Sequence, residues 1–157
     1  MADQVLSGGA DRPRSAAVTA GRPLHVLLSP YATTCFVGAL LTDIAYSRSA
    51  NIQWANFSAW LLVAGLVFCG LSILVALLGH FSHRGAPGNK TLGIAHGVIS
   101  ISIFIVELFN SFVHARDGWT SVVPTGLTLS VIAVILIAIN GFVGLRLERD
   151  PAVRIGR

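Results

Sequence analysis

The sequence predicts an all-α integral membrane protein, a four-helix up-down-up-down bundle with both termini on one side. Three observations predict it: composition, the spacing of apolar blocks and the placement of basic residues. Hydrophobic residues make up 54% of the 157 and charged residues only 11%, against about 25% charged in soluble domains. The apolar residues gather in blocks at 24–46, 57–81, 92–114 and 124–145. Each is long enough for the ~20-residue helix that a ~30 Å hydrocarbon core requires. Nine of the eleven Lys and Arg residues fall in the N-terminal tail, the middle loop and the C-terminal tail, and the other two loops hold only Arg48 and Arg116. Four spans put the first three segments on one face, so the positive-inside bias orients the chain N-in and C-in. The expected location is the bacterial inner membrane, with both termini cytoplasmic. The basic excess is a topology label, and no nucleic-acid partner is expected; the lipid bilayer and other membrane subunits are.

Residues 1–22 read as a polar cytoplasmic tail, 23–148 as the transmembrane domain and 149–157 as a basic tail. The first block is longer than a signal-peptide core and carries Asp43 near its end, so it reads as a retained span. Pro30 lies in its first turns. Loops of roughly ten residues favour antiparallel neighbours. Tyr46, Trp54 and Trp119 cluster where amphipathic rings prefer the headgroup level.

Lipid gives helices no hydrophobic drive to associate, so small residues must let backbones approach. On span two Ser58, Gly65, Cys69, Ser72, Ala76 and Gly79 recur at helical spacing on one face. Span four offers Gly126, Ser130, Ala133, Asn140, Gly141 and Gly144 in a similar stripe. Gly65, Cys69, Ser72, Gly141 and Gly144 are the expected packing positions. Cys35 and Cys69 sit at similar depth and read as small apolar fillers.

Span three carries the polar chemistry. His96, Ser100, Glu107, Asn110 and His114 fall within about 40° of one line at 3.6 residues per turn. An ionisable group at mid-membrane costs about 2.5–3.5 kcal/mol on insertion scales. A dozen apolar neighbours offset that cost without explaining the residue. Such groups normally face the bundle interior and pair with one another. His25 and Asp43 on span one are five turns apart and share a face too. Two polar clusters follow, with His25, His96, His80 and His83 towards the cytoplasmic end and Asp43, Glu107 and His114 towards the other. Asp43, Glu107 and Asn110 read as an interhelical polar clamp, with a proton relay or quinone contact as the alternative. His25 and His96 read either as interfacial histidines or as axial ligands of a haem b.

No glycine-rich phosphate loop, zinc-binding histidine helix, nucleophile elbow or CxxC pair is present. No catalytic residue and no metal site is therefore assigned.

The stretch GRPLHVLLSPYATTCFVGALLTDIAYS resembles the opening of a prokaryotic membrane-protein family known as domain of unknown function 2231. There a Gly-x-Pro-Leu-His start leads into a span ending in Asp, here Gly21, Pro23, Leu24, His25 and Asp43. The likeness continues in Ala95-His96 and in Gly141 and Gly144, over about residues 21–148. It departs at Val26, where the family has Pro, at Gly79-His80, where it carries Asp, and at Gly144-Leu145-Arg146 in place of Gly-Glu-Leu. Some relatives are joined to redox modules such as Rieske-type domains, so the resemblance implies electron transfer. The expectation is a non-catalytic membrane subunit, an accessory or anchor of a respiratory or redox complex. The alternatives are a b-type cytochrome using His25 and His96 and, more weakly, a small-solute or proton transporter, for which no inverted repeat is evident.

Overall fold

The computed structural model describes residues 14–82, 89–116 and 122–149, with side chains at 27–79, 89–116 and 122–149. The side chains of His25 and His80 lie outside the described residues, as do His83 and Trp119.

Four helices account for nearly all of the described chain: α1 (Arg14–Ser49), α2 (Ile52–Ser82), α3 (Lys90–His114) and α4 (Leu127–Glu148). Each contains a stretch long and apolar enough to cross a membrane: Leu27–Ser49, Ile52–Gly79, Lys90–His114 and Val122–Glu148. Helix α1 begins at Arg14, inside the stretch read as tail, and runs on through Pro23 and Pro30.

The first connection is far tighter than ten residues. Only Ala50 and Asn51 separate α1 from α2. Hydrogen bonding continues past the apolar run through Ser47, Arg48 and Ser49, because leaving the hydrocarbon does not by itself end a helix. What ends it is Ala50, at φ 52° in the left-handed region, a conformation unusual for a residue with a Cβ. The Asn51 side chain then accepts from Gln53 N at 3.0 Å, satisfying a free amide of the new helix. Asn89 caps α3 similarly, its Oδ1 accepting from Thr91 N at 3.1 Å and Leu92 N at 3.2 Å. Helix α4 is preceded by a wide turn, Val122–Gly126, with Val123 extended and a cis bond to Pro124.

Contacts between helices give the ring order α1, α2, α3, α4, with α1 and α3 on a diagonal. The antiparallel direction of α1 and α2 follows from paired positions. Thr42 meets Ser58, Gly38 meets Leu61, Phe36 meets Gly65 and Tyr31 stacks on Phe68. The α3–α4 pairs run likewise, from Asn110 with Ser130 to His96 with Gly144.

The apolar centre is Ala32, Phe36, Ala39, Leu62 and Ile103. The α1 residues among them recur at steps of four and three, as a buried helix face must. Tyr46 continues that face and is buried among the helices. Trp54 and Trp60 are exposed. The outward surface is a girdle of large apolar side chains, Trp60 at 75% and Ile94 at 67% exposure among them, as lipid contact requires. At the end of α4 the Arg146 guanidinium lies 4.9 Å from the centre of the Phe142 ring, a cation–π contact.

Candidate functional site

Among the described residues six polar side chains are buried: Asp43, Ser58, Ser72, Glu107, Asn110 and Ser130. Five of them meet at one place. Asp43 reaches it from α1 in register with Ala39 and Tyr46, and Ser58 from the second turn of α2. Glu107, Asn110 and His114 come from successive turns of α3, and Ser130 from the first turn of α4. Apart from His114, all of these residues are wholly inaccessible.

The Asp43 carboxylate is the hub. Its Oδ1 accepts from Ser58 Oγ at 2.5 Å and faces His114 Nε2 at 2.9 Å, and its Oδ2 accepts from Ser130 Oγ at 2.6 Å. One partner thus comes from each of the other three helices. Thr42 Oγ1 adds a 2.7 Å contact to Ser58 Oγ. Asn110 spends both amide hydrogens, one on Glu107 Oε2 at 3.0 Å and one on Ser130 Oγ at 2.9 Å.

The proton on His114 can be placed from its neighbours. Its Nδ1 lies 2.9 Å from the Asn110 carbonyl oxygen. A carbonyl only accepts, so Nδ1 carries hydrogen. The line from Nε2 to Asp43 Oδ1 must then hold a second proton, on one atom or the other. Either way the Asp43–His114 pair is neutral as a unit and spans the α1–α3 diagonal.

A second polar layer lies towards the other end of the α3–α4 seam. Asn140 Nδ2 donates to Ser100 Oγ at 3.0 Å, and Ser100 Oγ donates to the His96 carbonyl at 2.8 Å. The His96 ring packs on Gly144, where an added Cβ would sit 3.5 Å from its Cε1. Among the described residues His96 Nδ1 and Asn140 Oδ1 are buried with no hydrogen-bond partner. Between the layers lie Ile103 and the apolar centre. No group of three or more His, Cys, Asp or Glu suited to a metal is present among the described residues.

The expected packing positions divide. Gly65 takes the Phe36 ring, whose Cδ1 would lie 2.7 Å from an added Cβ. Cys69 packs against the apolar centre and Ser72 is buried. Gly141 is exposed, with nothing within 4 Å of an added Cβ. It sits three residues before Gly144 and one after Asn140, off the line through Ser130, Ala133 and Asn140, so within this chain it is not a packing position. Gly79 is likewise open. Cys35 and Cys69 are both free thiols. The sequence groups His114 with Asp43 and Glu107 towards one end but offers Ser58 and Ser130 only as small packing residues. The spacing of the two serines on the inner faces is the available signal; that Asp43 is their partner becomes visible only with the ring order.

The model of the family described as "Predicted membrane protein (DUF2231)" matches residues 21–156. The chain belongs to that family. Neither the curated proteins nor the solved structures contain a match. Every polar residue of both layers falls inside the DUF2231 match, so the clustered side chains belong to the family's domain and not to a tail.

Proposed function

We propose that this DUF2231 chain is a non-catalytic membrane subunit, an accessory or anchoring component of a respiratory or redox complex in the bacterial inner membrane, with both termini cytoplasmic. In this reading Asp43, Glu107 and Asn110 clamp the bundle and its apolar outer face meets lipid and neighbouring subunits. One observation carries it: the Asp43 carboxylate takes one hydrogen bond from each of the other three helices. Three of the roughly four acceptor positions of the carboxylate are thus taken up in holding helices together. The nine-to-two division of basic residues supports the orientation.

Two other readings have less support. A haem between His25 and His96 would bridge the α1–α3 diagonal, and the His25 side chain lies outside the described residues. A metal-bound imidazole normally donates its second nitrogen to a carbonyl or carboxylate. Among the described residues no carbonyl or carboxylate meets His96 Nδ1 to orient the ring in this way. Transport would need a polar route along the bundle, and Phe36, Leu62 and Ile103 lie packed between the two polar layers.

The test is native purification with an absorption spectrum, oxidised and dithionite-reduced. Stoichiometric co-purification with other membrane chains, without haem bands, is the expected result. Haem bands that disappear in His96→Ala would transfer the function to the cytochrome. A colourless chain that runs alone from native membranes would remove the subunit proposal. Orientation is checked separately by labelling a cysteine placed at Ala50, which should react only from the periplasmic side.

A further inference from the structure

The polar cluster is short of donors. Ser58 and Ser130 give their hydroxyl hydrogens to Asp43, Asn110 spends both amide hydrogens, and His114 uses Nδ1 on a carbonyl and Nε2 on Asp43. Two acceptors remain with no partner among the described residues: Glu107 Oε1 and Asn110 Oδ1. Both residues are 0% exposed. The charge count points the same way. The Asp43–His114 pair is neutral as a unit, so an ionised Glu107 leaves the cluster one negative charge in excess. A buried charge without a partner is among the costliest arrangements a protein can hold, and lipid supplies no water to relieve it.

We propose that the Glu107–Asn110 end of the cluster is a binding site for one small monovalent positive charge, a proton or an alkali cation. Glu107 Oε1 and Asn110 Oδ1 are its acceptors. The groups facing Glu107 are Asp43 from α1, Cys69 from α2, Asn110 and His114 from its own helix and, through Asn110, Ser130 from α4. None of them is a fixed cation such as Lys or Arg. The charge must therefore come from outside the described residues. This goes beyond the clamp: the clamp engages Glu107 through Oε2 and Asn110 through its amide nitrogen, whereas this site concerns the two oxygens that the clamp leaves over.

The sequence makes the test unusually clean, because the chain has only two glutamates, Glu107 and Glu148, and Glu148 is exposed. The full chain is labelled with 13C-carboxyl glutamate in detergent micelles. Infrared and carbon NMR spectra are then recorded at neutral pH in choline chloride and in sodium chloride of equal ionic strength. A protonated glutamate carboxyl in choline chloride, absent from Glu107→Gln, identifies the proton as occupant. An ionised Glu107 whose carboxyl signal shifts saturably with sodium, together with a rise in Tm over choline, identifies the alkali cation. Glu107→Gln supplies a donor without charge, so it should fold and lose all response to sodium. If that variant does not fold, the wild-type spectra decide alone. A Glu107 carboxyl that is ionised at neutral pH and indifferent to sodium overturns the proposal.

Discussion

Removing the hub is the strongest perturbation available. In Asp43→Ala the hydroxyls of Ser58 and Ser130 and the Nε2 of His114 all lose the oxygen they now meet at 2.5, 2.6 and 2.9 Å. Interhelical hydrogen bonds in membranes average about 0.6 kcal/mol and reach about 1.7. Three of them give about 2 kcal/mol at the mean and about 5 at the ceiling. Asp43→Asn should behave differently. With its oxygen turned to Ser130, the new amide nitrogen donates to His114 Nε2, which then needs no proton of its own. Ser58 redirects its hydrogen to the Ala39 carbonyl, already 3.3 Å away. The cost should fall to about 1 kcal/mol, the net worth of one hydrogen bond. Reversible unfolding in mixed micelles of dodecyl maltoside and dodecyl sulfate, followed by circular dichroism, measures both. An Asp43→Ala variant within about 0.6 kcal/mol of wild type would refute the hub. So would an Asp43→Asn variant as damaged as the alanine.

Further outcomes follow from the packing and the caps. Gly65→Ala drives a methyl into Phe36, itself 1% exposed, and should cost about 1–3 kcal/mol. Gly141→Ala enters open space and should change stability by less than about 1 kcal/mol; the same unfolding assay separates the two. Asn89→Ala removes the acceptor for two free amides of α3 and should cost about 0.5–2 kcal/mol, with amide exchange quickening at Thr91 and Leu92 first. Ser100→Ala strands the Asn140 amide and should cost more than Asn140→Leu, which removes the polar group altogether; a reversed order in the same assay would show that the stranded amide carries no such penalty.

Much of this fold is legible in the sequence because lipid imposes a simple rule. A backbone crossing hydrocarbon must satisfy its own hydrogen bonds, so four long apolar blocks mean four helices, and the blocks at 92–114 and 124–145 fall within α3 and the span Val122–Glu148. Hydropathy cannot place the ends of α1 and α2. Their polar extensions are helical on either side of Ala50, and the signal for the turn is a backbone angle at a residue that ordinarily favours helix. The polar stripe of α3 was readable as an angle on one helix. Depth along the spans also puts Asp43 with Glu107 and Asn110, but not the serines beside them, since periodicity says which way a residue points on its own helix and not which helix stands opposite. Tyr46 shows the same limit: an aromatic at a span's end is placed by the face it occupies, and its face is that of Ala39 and Asp43. Gly141 and Gly144 were indistinguishable as glycines of one stripe until His96 was found on Gly144 alone.

The ring order itself is what the buried cluster specifies. Apolar side chains gain nearly as much from acyl chains as from one another, so van der Waals packing discriminates weakly between arrangements of four similar helices. Exchanging α3 with α4 would still bury leucine and isoleucine. It would also place His114 beside α1 and move Ser130 to the diagonal, and a serine side chain is too short to cross the bundle to Asp43. The long imidazole spans the diagonal and the short hydroxyls of Ser58 and Ser130 serve the adjacent sides. Side-chain length is therefore matched to position around one carboxylate, and each wrong order takes from Asp43 at least one of its three hydrogen bonds. Membrane-buried polar groups cost stability to insert; here that cost selects one arrangement against the alternatives.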